Sequence, residues 1–394
     1  MLIGIDARFA VHKRRGIGNY TLKLVSNLAK IDANNEYIIY IDRDDVDKIL
    51  PQKSNFKIKK IFPSNYLVWE QLALPMQAKR DNIDILHCPG NTAPICLDSR
   101  IKLIISVMDV MFLKSFSVLA PSASLYQRFG RRYRKMVLPR IIERASRIIT
   151  ISNFSRDDIL SHFKFLKPHQ ITVIYLAVGD KFHFTDRNDT KARIKDKLRV
   201  NGKYILTVGG SDPRKNTHLV IEKFIELKDE AKIEEKLVIV GIPNWREIKF
   251  CKMAKESRYS KDIIFTDFVI EEDLVLLYNG ATVFLYPSLY EGFGIPPLEA
   301  MACGVPVISS NITSIPEIVG DAAFLINPTN GEELKAAVMK LLNDENVRNN
   351  LIARGLKQAK KYSWIKMAKK NLAIYESAYK ERSAKNYDGS FITI

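Results

Sequence analysis

The chain has 394 residues, 46% of them hydrophobic, and a formal net charge of +17. Its length fits two domains, and its composition excludes a disordered chain. No apolar run reaches the roughly eighteen residues that span a bilayer, and the cysteines lack the paired spacing of a zinc site. We therefore expect a cytoplasmic protein with reduced thiols at Cys88, Cys96, Cys251 and Cys303.

The first half of the chain alternates short β-rich runs with helical patterns. Helices fit, for example, at residues 20–31 and 155–163. The predicted strands lie near residues 2–7, 37–41, 57–62, 83–88, 102–107, 147–151 and 171–175. Such alternation predicts a parallel sheet covered by helices on both faces.

A glycine loop follows the first predicted strand, in the segment RRGIGNYT. Gly16 and Gly18 allow the backbone to approach a ligand at the start of the next helix. The segment lacks the third glycine of a dinucleotide-binding fingerprint, which argues against a nicotinamide-dependent enzyme.

Two Asp-x-Asp pairs follow the second predicted strand, at Asp42 and Asp44 and at Asp45 and Asp47. Carboxylate pairs of this kind can hold a divalent metal. Their position early in the first domain favours a solvated loop instead, and we predict no required metal.

Two further segments follow consecutive predicted strands: HCPGNTAP, which begins at His87, and VMDV, which contains Asp109. Because the carboxyl ends of parallel strands meet at one edge of a sheet, we expect His87, Asn91 and Asp109 at the same edge of the first sheet, towards the cleft. Two alternatives stay open. Asp109 serves as a base or hydroxyl ligand, or else it caps a helix, and His87 equally fits a hydrogen-bonded core histidine.

A strongly basic segment spans residues 128–147, with eight basic residues and one acid. It predicts an amphipathic helix, interrupted at Pro139, whose apolar face holds Tyr133, Met136, Val137, Ile141 and Ile142. Such a helix can lie on an anionic membrane, gaining about 1 kcal/mol per basic residue. The alternative is a solvated helix face. Nucleic-acid binding is not expected, because no recognised binding module accompanies the charge.

The second half repeats the alternation of strands and helices after a polar stretch at residues 179–203. Its predicted strands lie near residues 204–208, 237–240, 263–266, 283–286, 305–309 and 323–326. We predict an α/β protein with two Rossmann-like domains, at 1–180 and 181–364, whose parallel sheets face each other across a cleft.

The first strand of the second domain runs into a glycine turn, YILTVGGSDPRKN. A turn at this position, with Gly209 and Gly210, is where such sheets bind ligands. Arg214 and Lys215 stand at the start of the following helix, where cations and free N–H groups together can neutralise a diphosphate.

The segment YPSLYEGFGIPPLEAMACGVPV, at residues 286–307, places Glu291 and Glu299 eight positions apart. The double proline suits the first turn of a helix, so Glu291 is expected in the preceding loop and Glu299 inside the helix. The helix start and the Gly292-Phe293-Gly294 loop make a pocket for phosphate or sugar hydroxyls.

This segment resembles the E-x7-E signature of retaining glycosyltransferases of family 4, which have the GT-B fold. The resemblance implies that Glu291 contacts the transferred sugar and that Glu299 contacts the nucleotide ribose. It implies that Arg214 and Lys215 stabilise the departing diphosphate, and that the glycine loop at Gly16 and Gly18 lies near the donor phosphate. It also implies a last helix, at 365–385, that packs back on the first domain. The resemblance places His87, Asn91 and Asp109 on the acceptor side. Many relatives carry His-Asp, with the histidine beside the transferred sugar, where this chain has Met108-Asp109, and the departure leaves open which group takes that position.

The resemblance implies a retaining, metal-independent hexosyltransferase whose co-substrate is a nucleotide sugar and which needs no cofactor. The segments GIGNYT, HCPGNTAP and SNITSIPEIVGDAA look most like bacterial mannosyltransferases of surface-polysaccharide synthesis, which use GDP-mannose. The expected acceptor is a lipid-linked oligosaccharide at the inner face of the cytoplasmic membrane. The alternatives are transfer of rhamnose, glucose or galactose from a dTDP or UDP donor, a GT-B epimerase or phosphorylase, and a non-catalytic scaffold of the same fold.

Overall fold

The computed structural model describes residues 1–12, 16–114, 125–185, 187–198 and 200–388. Contacts within the chain divide it into two compact units. As far as they are described, the first unit combines Met1–Leu113, Ala123–Leu176 and Ser363–Ile394, and the second is formed chiefly by Ala177–Tyr362. The boundary predicted at residue 180 lies near this division.

The first unit contains a seven-stranded sheet in which every pairing is parallel. The strands are β1 (Leu2–Asp6), β2 (Glu36–Ile41), β3 (Phe56–Lys60), β4 (Ile85–Cys88), β5 (Lys102–Ser106), β6 (Arg147–Thr150) and β7 (Ile171–Val173). Their order is β3-β2-β1-β4-β5-β6-β7. Nearly every residue of β1, β4 and β5 is buried, as expected for strands covered on both faces.

The helices of this unit connect successive strands of the sheet. They are α1 (Arg8–Val11), α2 (Gly16–Ile31), α3 (Tyr66–Val68), α4 (Leu74–Arg80), α5 (Leu125–Arg144) and α6 (Asn153–His162). A π-helical turn at Trp69–Ala73 joins α3 to α4. Helix α6 begins where the Ser152 hydroxyl accepts the Ser155 N–H at 3.0 Å, which satisfies one of the unpaired donors of the first turn.

Helix α5 runs through Pro139, so the predicted interruption is wrong. A proline inside a helix removes one hydrogen bond and costs about 3 kcal/mol. The helix continues because the apolar side chains around the proline are buried in the core of the unit, at Tyr133, Val137, Leu138, Ile141 and Ile142. Burial of these side chains outweighs the local cost.

The second unit contains a six-stranded parallel sheet. Its strands are β8 (Tyr204–Val208), β9 (Lys236–Val240), β10 (Ile263–Phe265), β11 (Val283–Tyr286), β12 (Val307–Ser310) and β13 (Phe324–Ile326), in the order β10-β9-β8-β11-β12-β13. The helices are α7 (Arg187–Leu198), α8 (Thr217–Glu230), α9 (Lys249–Glu256), α10 (Glu271–Gly280), α11 (Ile295–Ala302), α12 (Ile315–Val319), α13 (Gly331–Asn343) and α14 (Glu345–Ala359). The prediction of two Rossmann-like domains with parallel sheets is confirmed.

The last helix, α15 (Trp364–Asp388), belongs to the first unit. It packs against α2 and β5. In the part of the chain that the structure describes, no helix combines the length and the apolar character needed to cross a bilayer.

The strand order reverses beside β1 in the first unit and beside β8 in the second. In open parallel sheets, ligands bind at the carboxyl ends of the strands where this reversal opens a crevice. In the second unit, this point lies between the loop that follows β8 and the loop that follows β11.

Candidate active site

The loop after β11 leads into a helix whose start is built from glycine and proline. Pro296 and Pro297 occupy the first turn of α11, and Gly294 precedes them at a φ of +95°. A Cβ atom on Gly294 would lie 2.4 Å from Ile315 Cδ1, so another residue here would have to displace that side chain as well as adopt the left-handed φ. Glu291 lies in the loop before the helix, and Glu299 lies inside it.

Four donors converge on one carboxylate oxygen, Oε1 of Glu291. Arg214 Nη1 and Lys215 Nζ each lie 2.9 Å from it, and the hydroxyls of Tyr286 and Ser288 each lie 2.8 Å from it. Lys215 also donates to the Tyr286 hydroxyl. The structure therefore brings Glu291 together with the adjacent Arg214 and Lys215, which lie far from it along the chain.

The charges around Glu291 decide its protonation state. Burial by itself raises the pKa of Glu291, but the positive charges of Lys215 and Arg214 outweigh burial and bring that pKa down to about 2. Burial, together with the neighbouring Arg214, lowers the pKa of Lys215. At neutral pH the carboxylate is ionised and holds two cations at one point.

Backbone contacts join the loop after β8 to the loop after β11. Leu289 donates its N–H to the Arg214 carbonyl at 2.8 Å, and Arg214 Nη1 donates to the Tyr290 carbonyl at 3.1 Å. Asn216, in the left-handed conformation at a φ of 56°, donates its side-chain amide to the Pro287 carbonyl at 3.1 Å. These bonds fix the distance between the cations and the carboxylate.

Ser314 and Tyr362 contact the Gly292-Phe293-Gly294 loop and hold it in place. Ser314 Oγ lies 2.9 Å from the Glu291 carbonyl oxygen and 3.0 Å from that of Phe293, and donates to this pair. The ring of Phe293 is only 3% exposed and meets the edge of Tyr362 at 5.8 Å between centroids. The predicted donor contact at Phe293 is therefore limited to its backbone, because its side chain is part of the core.

Glu299 has a different environment from Glu291. Its Oε2 accepts a hydrogen bond from the Tyr278 hydroxyl at 3.0 Å. Burial raises the pKa of Glu299 to about 7, against the smaller lowering effects of the Tyr278 hydrogen bond and the Lys215 charge. The charge of Lys215 lowers the pKa of both carboxyl groups, but Lys215 is hydrogen-bonded to Glu291, whereas Glu299 is hydrogen-bonded to Tyr278.

Gly209 and Gly210, the two predicted glycines after β8, have different structural roles. A Cβ on Gly209 would lie 2.8 Å from Ile239 Cγ2, so this glycine lets the turn pack closely on β9. Gly210 donates its N–H to the Thr217 hydroxyl at 3.1 Å, which ties the turn to the start of α8.

In the first unit, the predicted residues mark the ends of β1, β4 and β5. Gly16 begins α2 with nothing within 4 Å of where a Cβ would stand, and Gly18 is buried one turn into the helix. Asn91, at a φ of 63°, accepts the Met108 N–H at 2.7 Å through its side chain. Asn91 thus braces the loop after β4 against the loop after β5.

Asp109 accepts the Met111 N–H at 3.0 Å and so caps a short 3₁₀ helix at Met111–Leu113. This is the capping role that the sequence left open for it. The side chain remains half-buried at the carboxyl edge of the sheet.

His87 is fully buried, and both of its ring nitrogens have partners. Nδ1 lies 2.6 Å from the Tyr375 hydroxyl of α15, and Nε2 lies 2.8 Å from the Ser106 hydroxyl. Burial lowers the pKa of His87 to about 3, so the ring is neutral. This corrects the assignment of His87 to the acceptor side: the geometry is that of a core histidine, because no edge of the ring reaches the surface.

The Asp-x-Asp pairs take part in local contacts. Asp42 is 2.8 Å from His12 Nε2, Asp44 pairs with Lys60 at 2.6 Å, and Asp45 accepts the Ile49 N–H at 3.1 Å. Among the described residues, no three His, Cys, Asp or Glu side chains form a group that fits a metal ion. Independence from metal stays a prediction.

Sequence reasoning missed three residues of the site: Tyr286, Ser288 and Asn216. Tyr286 and Ser288 flank a proline at the end of a predicted strand, which is where a ligand-binding edge is expected. Asn216 follows the Arg-Lys pair directly, and asparagine is among the few residues that tolerate the left-handed conformation.

Comparisons with known proteins agree over both halves of the chain. The family model described as Glycosyltransferase Family 4 matches residues 14–181, and that described as Glycosyl transferases group 1 matches residues 188–358. The chain is 30% identical over 376 residues to the O-antigen chain mannosyltransferase B of Escherichia coli, covering 92% of this chain and 96% of that protein. It is 32% identical over 229 residues to the serotype-specific mannosyltransferase WbdA of Escherichia coli, covering 57% of this chain and 28% of that protein.

The fold has counterparts among solved structures. WaaG, a glycosyltransferase involved in lipopolysaccharide biosynthesis, matches with a TM-score of 0.70 at 16% identity, over 95% of this chain and 99% of that chain. At this level of identity the likeness is one of fold.

Proposed function

The chain belongs to glycosyltransferase family 4, and on that premise we propose that it transfers a hexose from a nucleotide sugar to a glycan with retention of configuration. The observation that carries the proposal is the cluster at Glu291, where Arg214 and Lys215 share one carboxylate oxygen. Arg214 also pairs with Asp212 Oδ2 at 3.3 Å, so two carboxylates balance the two cations, and a more highly charged anion can draw these cations to itself. A diphosphate is the ligand that such a site favours.

In the proposed reaction, the bond between the anomeric carbon and the diphosphate oxygen breaks, and its electron pair stays on the diphosphate. The acceptor hydroxyl attacks the anomeric carbon from the same face, and its proton passes to a diphosphate oxygen. Arg214 and Lys215 stabilise the negative charge that develops on the leaving group. No side-chain nucleophile, metal or cofactor is required.

Glu291 orients the sugar hydroxyls in this proposal. Tyr286 and Ser288 hold its Oε1, so the carboxylate keeps its place when Arg214 and Lys215 turn to the diphosphate. Glu299 accepts hydrogen bonds from the nucleotide ribose, and Gly16, Gly18 and the N–H groups around Gly292 and Gly294 contact the donor. On the acceptor side the proposal keeps Asp109, whereas Asn91 positions the neighbouring loop.

The proposed donor is GDP-mannose, and the proposed product is part of a bacterial surface polysaccharide. The support is the similarity to two proteins named as mannosyltransferases, one over 92% of this chain. The proposed acceptor is a lipid-linked oligosaccharide at the inner face of the cytoplasmic membrane. The basic helix α5, which covers most of residues 128–147, supports a peripheral membrane contact.

A panel of nucleotide sugars tests the donor and the reaction together. Nucleoside diphosphate release and the anomeric configuration of the product are measured with and without a mannan oligosaccharide, and with a chelator added. We expect GDP to be released from GDP-mannose only when the acceptor is present. We also expect the product to be α-linked and the chelator to have no effect. Turnover with a UDP or dTDP sugar and not with GDP-mannose would show that the proposed donor is wrong. A product with inverted anomeric configuration would reject the retaining mechanism.

Replacement of the central carboxylate tests the site. Glu291→Gln should lower the turnover number about 10²–10³-fold, because the charge that orients the sugar and balances the cations is removed. The exposed Glu247→Gln of the same unit is the matched control and should leave turnover unchanged. Full activity of a folded Glu291→Gln protein would remove Glu291 from the mechanism.

A further inference from the structure

An apolar groove lies on the surface of the first unit, between the α3–α4 segment and α5. It encloses about 510 Å³ and is lined by Val68, Leu72, Ile95, Phe129, Arg132 and Met136, among others. Leu72, Phe129 and Met136 are 58%, 56% and 57% exposed. One turn beyond Leu72, Met76 is 54% exposed. A cluster of large exposed apolar side chains marks a surface that contacts something apolar.

The groove shares only the edge of the α5 face that the sequence indicated: Tyr133 and Val137 line it, but both side chains are buried. Tyr133, Val137 and Ile141 pack in the core, so that face is not free to meet a membrane. Phe129, Arg132 and Met136 are spaced by three and four residues and therefore share one outward stripe of the helix. Met136 belongs to this stripe and not to the buried face.

The basic residues of α5 divide into two sets. Arg131 donates to the Phe112 carbonyl at 2.9 Å, Arg134 lies over the Phe112 ring, and Arg144 donates to the Ile95 carbonyl at 2.5 Å. These three hold the loops of the unit in place.

The second set consists of exposed side chains that form no ion pair with the described residues: Arg128, Arg132, Lys135 and Arg140. Arg128 and Lys135 are seven residues apart and lie along one side of the outward stripe, and Arg132 lines the groove itself. Glu143 is the helix's one acid. The apolar groove therefore has a cationic border.

We propose that this groove, with its border of Arg128, Arg132 and Lys135, is the surface by which the protein docks on an anionic lipid bilayer. Leu72, Phe129 and Met136 enter the boundary between headgroups and acyl chains, and the cations contact the anionic headgroups. The proposal deepens the proposed function, because it rests on a lipid-linked acceptor as the substrate. In this proposal the membrane contacts a surface formed by α5 and the α3–α4 segment together, and not the α5 face that the sequence indicated.

The charge distribution favours a lipid surface over a second copy of this chain. A two-fold interface on the groove would place the same cations against each other, and none of the described residues that line the groove is acidic. An anionic lipid surface offers apolar contact and complementary charge together.

Vesicle co-sedimentation of the full chain tests the proposal. The vesicles are neutral phosphatidylcholine with or without anionic phosphatidylglycerol. The apolar variant combines Leu72→Gln, Phe129→Gln and Met136→Gln; the cation variant combines Arg132→Gln and Lys135→Gln. The matched control combines Lys249→Gln, Lys252→Gln and Met253→Gln, which removes two exposed cations and one exposed apolar side chain from α9 of the other unit.

The wild-type protein and the control should bind anionic vesicles and leave neutral ones largely unbound. The cation variant should bind about fivefold more weakly for each cation removed. The apolar variant should bind at least about tenfold more weakly, also at high salt where charge is screened. Transfer to a soluble acceptor should be unchanged in all variants.

Three results would overturn the docking surface: no vesicle binding by the wild type, equal binding of neutral and anionic vesicles, or unchanged binding by both groove variants. A wild-type dimer in light scattering that the apolar variant abolishes would assign the groove to self-association. If any of these results is found while transfer to the soluble acceptor is unchanged, the proposed reaction stands and only the docking surface is rejected. If the wild-type protein binds anionic vesicles but transfers no sugar to the soluble acceptor, only the proposed reaction is rejected.

Discussion

At the scale of single residues, two glutamates eight positions apart have opposite electrostatic environments. The cations Lys215 and Arg214 overcome burial at Glu291 and lower its pKa to about 2, whereas burial dominates at Glu299 and raises its pKa to about 7. Glu291 therefore stabilises the fold above the usual pKa of a glutamate, and this contribution is lost as the pH falls through about 2. The contribution of Glu299 is present below the usual pKa and is lost as the pH rises through about 7.

The raised pKa of Glu299 predicts a pH dependence of donor binding. An ionised carboxylate accepts ribose hydroxyls better than a protonated one does, so the affinity for the donor nucleotide should rise as the pH increases through about 7. Tyr278→Phe removes the hydrogen bond that favours the ionised form and should move this midpoint to higher pH. Titration calorimetry with a nucleoside diphosphate from pH 6 to 9 measures the midpoint.

The control for this measurement is Tyr259→Phe, at a partly exposed tyrosine of the same unit that donates its hydroxyl to Asp229. Its midpoint should equal that of the wild type. A flat affinity profile in the wild-type protein would separate Glu299 from the nucleotide.

At the scale of elements, the helix α11 shows how a short motif builds a site. Its start depends on the left-handed Gly294, and its loop depends on Ser314 of the neighbouring segment. Prolines at the first turn remove N–H groups that a helix would leave unpaired in any case. The position of the loop before α11 therefore depends on the conformation of Gly294 and on the hydrogen bond from Ser314.

Substitution of Gly294 should damage both the fold and the site. Gly294→Ala places a Cβ about 2.4 Å from Ile315 Cδ1 and strains a φ of +95°, so it should cost about 2–4 kcal/mol and raise the KM for the donor. Gly202→Ala is the control, because Gly202 has a φ of +83° but open space around it. Equal losses in urea unfolding would show that backbone strain alone, and not the contact with Ile315, makes Gly294 necessary.

The proline inside α5 predicts a stabilising substitution. Pro139→Ala restores a helix N–H and removes a steric conflict, so it should raise the free energy of unfolding of the first unit by about 1–3 kcal/mol. Chemical unfolding followed by a probe in the first unit measures this change, with the neighbouring exposed Arg140→Ala as the control. A loss of stability would mean that the helix has adapted its packing to the proline.

At the scale of the whole molecule, the chain returns to its first unit after the second is complete. Helix α15 packs on α2, and its Tyr375 reaches the fully buried His87. Burial lowers the pKa of His87 to about 3, so its contribution to stability is lost as the pH falls from about 6.5 towards 3. Helix α15 therefore contributes to the core of the first unit.

Tyr375→Phe tests this connection. The change leaves a buried ring nitrogen of His87 without its partner and should lower the free energy of unfolding of the first unit by about 1–3 kcal/mol. Turnover of the folded protein should stay the same, since His87 has no role in the proposed reaction. The exposed Lys370→Ala of the same helix is the control; a fall in kcat without a fall in stability would return His87 to the site.

Local patterns determined much of this protein before any packing was known. The alternation of strands and helices predicted the parallel sheets, because strands buried on both faces leave continuous apolar runs. The proline pair predicted the start of α11, since proline suits only the first turn of a helix.

Tertiary structure alone decided which polar side chains meet. The environments of His87, of Glu291 beside Arg214 and Lys215, and of the basic residues on α5 depend on contacts between residues far apart in the chain. Periodicity gave α5 an apolar face, but the core covered that face and left another stripe exposed. The reason is physical: a helix or strand follows from neighbouring residues, whereas burial and pKa follow from whatever the fold places beside them.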